Sequence, residues 1–175
     1  LCFDVNKQGL IAIGQTGSQD KEICVYTSQG EFLYGYTFNC TQSFCVEWDE
    51  QHVNIYFIRS DVIISLDSDG NILDIKAVQD TIDNNSYRNS LLYSTTRTVG
   101  NTTYLIRNDM GIFNWIATSY SQIVTIDATG SESIIYDVNS MQLTKTIVTI
   151  SLICVFVFVA VAVVIWQFIK LRRGN

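Results

Sequence analysis

From Thr146 to Ile169 the chain runs for 24 residues without a charged side chain, TIVTISLICVFVFVAVAVVIWQFI. No other feature narrows the options as far. A helix of that length reaches about 36 Å at ~1.5 Å per residue, enough to cross a hydrocarbon core of about 30 Å with some tilt. The many β-branched residues do not argue for a strand here. Lipid offers no partner for an open backbone edge, so a lone segment can satisfy itself only as a helix. Trp166 and Gln167 stand near one end, where an amphipathic ring meets headgroups. The reading is a transmembrane helix that takes the lipid bilayer as its partner through residues 146–169.

Charge then sets a direction. Before the span, residues 1–145 hold all 17 acidic and 8 of the 11 basic residues, a net charge of −9. After it come Lys170, Arg172 and Arg173. Positive residues favour the cytoplasmic side, so the expectation is a single-pass protein of the cell membrane with its N-terminal part outside and its C-terminus cytoplasmic. Three regions follow: an extracytoplasmic domain over 1–140, a transmembrane helix with flanks over 141–170, and a short cytoplasmic basic tail over 171–175. An acidic body lacks the basic face that a nucleic-acid partner requires. The chain opens LCFDVNKQG, without Met or a signal-peptide pattern, and is expected to be a C-terminal piece of a longer protein.

Residues 1–140 alternate apolar and polar side chains in short runs punctuated by Gly, Asn, Asp and Ser. The pattern predicts strands over 2–6, 9–15, 22–27, 31–38, 43–49, 53–59, 62–67, 71–78, 91–99, 102–107, 122–127 and 132–138. The stretch GIFNWIATS after Met110 fits a strand or a short helical turn. Three segments repeat: ICVYTSQGEFL from Ile23, IISLDSDGNIL from Ile63 and IVTIDATGSES from Ile123, each a strand, a polar turn with Gly and a second strand. The preceding halves align too, Phe3–Ile13 with Val46–Tyr56 and, more weakly, Leu105–Phe113. Each unit therefore counts four strands, with an insertion over about 79–100.

Such a unit resembles the four-stranded blade of a β-propeller of the NHL, WD-like or quinoprotein type. The residues that carry the likeness are VYTSQG, SLDSDG and TIDATG. The resemblance implies an all-β fold, about three four-stranded antiparallel propeller-like blades followed by one transmembrane helix. Three blades do not close a ring, so further blades upstream of Leu1, several chains in one assembly, or an open stack or sandwich is implied. The function implied is a membrane-anchored extracytoplasmic binding or interaction domain, with a protein or small ligand as partner and a homo-oligomer if the chain is complete. The alternatives are a structural accessory subunit of a membrane complex, or a piece of an enzyme whose catalytic residues lie upstream.

Individual residues give no chemistry. No GxSxG, P-loop, HExxH or dinucleotide fingerprint occurs, and no catalytic, cofactor-binding or metal-ligating residue is nominated. His52 follows Asp49 and Glu50 in a turn, and would serve acid–base chemistry only if Ser43 or Ser60 approached it. Asp67-Ser68-Asp69-Gly70-Asn71 looks like the start of a calcium loop, yet Val78 stands where the closing carboxylate belongs, so a hairpin turn is the better reading. Cys2, Cys24, Cys40 and Cys45 are either disulfide-bonded or separate buried thiols, and Cys154 lies in the span. Glycosylation-type triplets at Asn39, Asn84 and Asn101 mark surface loops. Phe32, Tyr34, Tyr36 and Phe38 share one strand face and are expected to pack between units. Trp48 and Trp115 are candidates for equivalent core positions.

Overall fold

The computed structural model describes residues 1–15, 20–114 and 121–173. Alternation and turn chemistry give three antiparallel sheets, each a meander of four strands consecutive in the chain. The first holds β1 (Cys2–Val5), β2 (Ile11–Gln15), β3 (Asp20–Tyr26) and β4 (Phe32–Asn39); the second holds β5 (Phe44–Asp49), β6 (His52–Phe57), β7 (Val62–Leu66) and β8 (Ile72–Ala77). The third holds β9 (Thr96–Val99), β10 (Thr102–Arg107), β11 (Gln122–Ile126) and β12 (Glu132–Asp137).

One turn design recurs at four hairpins. Asn6, Thr27, Asp67 and Asp127 each accept, through a side-chain oxygen, the backbone N–H groups two and four residues on. Each is followed three residues later by a glycine at φ between +81° and +85°: Gly9, Gly30, Gly70 and Gly130. The short polar side chain replaces a missing backbone partner, and the left-handed conformation costs glycine nothing. Elsewhere the chain tolerates strain: Glu50 and Asp61 are non-glycine residues at φ +54° and +50°.

The first two sheets bury their faces on each other. Cys2, Ala12, Ile23 and Val25 pack with Phe44, Cys45, Val46, Val53, Ile55 and Leu66, and Leu91 joins them. β1 and β2 lie against β5, and β1 also lies against β9. Leu91 belongs to α1 (Ile82–Tyr93), which packs on β5 and β1. The Thr81 hydroxyl caps α1 by accepting from the N–H of Asn84 at 3.2 Å.

Two sequence expectations are corrected here. The propeller is not formed: the described residues make three open, separate sheets and no closed arrangement. An alternating strand with a glycine turn specifies a hairpin, and hairpins in series specify a meander. Neither pattern encodes curvature about a common axis, which depends on how successive sheets pack. The second correction concerns the strand expected over 91–99. Its first residues finish α1, and Ser94 ends the helix in extended conformation before β9 begins. IDNNSYRNSLLY lacks a regular apolar stripe, so periodicity could not announce this helix.

Residues 108–114, 121 and 138–173 belong to a second compact unit. Its described residues form a 3₁₀ turn (Gly111–Phe113) and the 35-residue helix α2 (Asn139–Arg173). Within α2, Ser140–Leu171 is long and apolar enough to cross a membrane, the single such helix among the described residues. No part of its apolar window is buried against the protein. Thr144 and Thr149 turn their hydroxyls back to the carbonyls of Ser140 and Lys145, at 2.8 and 2.9 Å, so neither leaves a donor exposed.

Candidate functional site

Charged residues inside short apolar strands are costly unless paired. Asp4 in β1 and Arg97 in β9 meet at 2.9 Å, and their side chains are only 13% and 15% exposed. The second Asp4 oxygen accepts the Trp48 backbone N–H of β5 at 2.8 Å. Arg97 also donates to the Leu91 carbonyl at the end of α1 (3.2 Å) and lies 5.4 Å from the Phe3 ring centre. One ion pair thus ties all three sheets and α1 together, and it is the polar centre of the domain. Sequence reasoning missed it. The available signal was a lone acid in CFDV and a lone base in TRTV.

Beside this junction, three hairpin tips border a cleft of about 730 Å³. Asn6, Lys7 and Gln8 come from the β1–β2 turn, Asp49, Glu50 and Gln51 from the β5–β6 turn, and Val99 and Gly100 from the β9–β10 turn, with Trp48 in the lining. The cleft offers one ammonium, two carboxylates and three side-chain amides, a set suited to holding a polar ligand by hydrogen bonds. The Trp48 indole N–H is buried without a hydrogen-bond partner.

A second polar group lies on the same sheet. Glu47 of β5 accepts from the Tyr56 hydroxyl at 2.8 Å and from the Tyr87 hydroxyl of α1. Burial, reinforced by the hydrogen bond to Glu47 and its negative charge, pushes both phenols well above their usual range. They remain protonated donors at neutral pH. Arg88 of α1 pairs with Asp61 at 2.5 Å, joining the helix to the β6–β7 loop.

The residues singled out in the sequence do not converge. His52 is exposed at the start of β6, while Ser43 and Ser60 flank the far end of the β5–β6 hairpin. Six strand residues separate them, roughly 17–20 Å, which excludes a serine–histidine pair. The Asp67 carboxylate is engaged by the N–H groups of Asp69 and Asn71 and by the Asn71 side chain, at 2.8–3.0 Å, as a turn requires. Cys2, Cys24, Cys40, Cys45 and Cys154 are all free thiols. Burial pushes Cys2 up to about 11 and Cys45 up to about 12, so neither presents a thiolate at neutral pH.

Tyr34, Tyr36 and Phe38 pack against the core, and Phe38 sets its edge on Phe44 and Phe57. The Tyr36 hydroxyl donates to the Asp67 carbonyl at 2.5 Å, a bond from the first sheet to the second. Phe32, at the strand's start, stays 60% exposed. Asn39 and Asn101 lie exposed at strand ends, but Asn84 stands in α1, where its amide donates to the Gln79 carbonyl at 2.8 Å. Trp115 lies outside the described residues. No group of three or more His, Cys, Asp or Glu converges among the described residues.

No protein-family model matches the chain, and no curated protein matches it. A solved structure that it resembles weakly is a protein of unknown function from Bacteroides caccae, at 12% identity and a TM-score of 0.38. The match covers 77% of this chain and 65% of that one. A likeness at that level identifies neither fold family nor activity.

Proposed function

We propose that this protein is a single-pass membrane protein whose α2 holds an all-β domain on the extracytoplasmic face, leaving the basic residues Lys170, Arg172 and Arg173 in the cytoplasm. The observation that carries this reading is the state of α2: an apolar helix none of whose spanning window is covered by the protein. In water, the exposed Val, Ile and Phe of that window would be strongly unfavourable, at roughly 25 cal/mol per Å². Lipid removes that cost.

Two features support the direction. The basic residues cluster behind the span and the acidic excess precedes it. At the basic end, Lys170 lies 5.4 Å from the Trp166 ring centre, a pairing suited to the interface where headgroups meet water.

The test is membrane fractionation with protease protection of the full chain in intact cells. The expected result is a chain that resists alkaline extraction and loses its β-domain, but not its tail, to external protease. Release at alkaline pH would overturn the anchor. Protection of the β-domain would overturn the orientation alone.

A further inference from the structure

Each sheet ends in an outer strand, and the three outer strands are not alike. Every residue of β8, Ile72–Ala77, is exposed, including Ile72, Leu73 and Ile75 at 49–59%. Its far edge pairs with no described strand. The Val78 N–H donates to the Asp61 carbonyl at 2.7 Å, so the alternating ladder turns Lys76 and Asp74 toward β7 and leaves the backbone groups of Ile75 and Ala77 facing outward. The Ile75 N–H is met only by the carboxylate of its neighbour Asp74, at 2.8 Å.

We infer that β8 pairs antiparallel with β8 of a second copy of this chain, about a two-fold axis through Ile75, joining two four-stranded sheets into one of eight. The strand's own sequence argues for this occupant. In that register Asp74 faces Lys76 of the second copy and Lys76 faces its Asp74, while Ile75 faces Ile75; the β-bulge at Leu73 ends the match on that side. Opposite charges directly across an antiparallel pair are favourable, and like charges are unfavourable. The outward groups of Ile75 form the hydrogen-bonded pair at the axis, releasing Asp74 from its local bond. Within one chain Asp74 and Lys76 already attract each other at 3.0 Å, so pairing exchanges one exposed contact for two across the axis.

β12 does not share this property. Its only charged residues are the acids Glu132 and Asp137, so no register of self-pairing sets opposite charges across the axis. β4 carries no charge at all to select a register. Isologous contact through a self-complementary edge also closes at two copies, which avoids the open-ended stacking that a bare edge invites.

The proposal is tested by measuring the mass of the full chain in detergent micelles over a range of protein concentrations. The expected result is a dimer for the wild type. Dissociation should become at least about tenfold easier for Lys76→Asp, which sets acid against acid twice, and a dimer should return in the charge-swapped D74K/K76D variant. Both side chains are exposed, and melting curves of each variant confirm that the sheet is intact. In membranes, Ile75→Cys in a Cys154→Ser background should be joined 75–75 by a short bis-maleimide, since facing Cα atoms in such a pair stand about 5.5 Å apart. A monomeric wild type, a dimer indifferent to Lys76→Asp, a swap that fails to restore it, or no 75–75 cross-link would each overturn the inference. A dimer unmoved by every variant would assign association to α2 instead. Neither result bears on whether α2 spans a membrane.

Discussion

Val, Ile and Phe build both the β-domain and α2, and they end in opposite surroundings. In the domain, Phe44, Val46, Val53 and Ile23 have no measurable contact with solvent; in α2, Phe156, Phe158 and Val157 lie open. The apolar residue types do not separate the two regions, since each is rich in β-branched and aromatic residues. Period and interruption do. The domain's apolar runs are broken every few residues by a turn that reverses the chain, so each face finds another face of the same chain. The α2 run has no such break, and its apolar surface must find its match outside the chain. Burial is therefore achieved by protein in one region and left to lipid in the other.

The largest expected effect breaks that comparison with one substitution made twice. Phe44→Ala removes a fully buried ring between the first two sheets and should cost about 3–5 kcal/mol of domain stability, a large part of the roughly 5–15 kcal/mol available to a domain. Phe158→Ala, at 75% exposure in α2, should leave the domain's denaturation midpoint within about 0.5 kcal/mol of the wild type. Denaturant melts of the full chain in detergent, followed by tryptophan fluorescence, check both. Equal losses would mean that α2 is part of the domain's fold.

How far the sequence carried the description depends on the range of each signal. Strand positions were legible nearly throughout, because alternation and turn residues act over two to four positions: β6 was expected over 53–59 and lies at His52–Phe57. The turns at Thr27, Asp67 and Asp127 were legible for the same reason. The arrangement of the sheets was not, because it depends on pairs such as Asp4 with Arg97 and Tyr36 with Asp67, far apart in the chain. α1 was invisible for a different reason. Its twelve residues bury one side chain, Leu91, and its polar surface gives no periodic stripe. The cleft at the hairpin tips was equally hidden, since turn residues read as turns until three of them are brought to one place.

A smaller effect sharpens the contrast within the domain itself. Gly30 and Gly130 occupy the same place in two copies of one turn, at φ +85° and +81°. A Cβ on Gly30 would stand 2.2 Å from the Ile135 carbonyl oxygen of β12, whereas one on Gly130 would meet nothing within 4 Å. Gly130→Ala should therefore cost only the left-handed backbone, about 1–2 kcal/mol, and Gly30→Ala roughly 1–3 kcal/mol more as the first and third sheets are forced apart. Matching melts for the two variants would show that the two sheets do not meet at this turn.

The smallest effect separates turns that titrate from turns that do not. Asn71 amide and backbone N–H groups donate to Asp67, and the Thr129 hydroxyl with the N–H groups of Ser131 and Thr129 donates to Asp127, holding both carboxyls below the usual carboxylate value. A carboxyl whose pKa is depressed on folding contributes stability that is complete above its unfolded value, about 4, and is lost as pH falls through the lower folded value. Asn6 and Thr27 make the same turns with groups that carry no charge. The D67N/D127N variant converts the two acidic turns to the Asn6 design. Between about pH 5 and pH 2, the wild type should lose thermal stability more steeply than this variant, whose other carboxylates are unchanged. Coincident slopes would mean that protonated turns hold as well as ionised ones, and that the charge on Asp67 and Asp127 adds nothing to the bond geometry shared by all four.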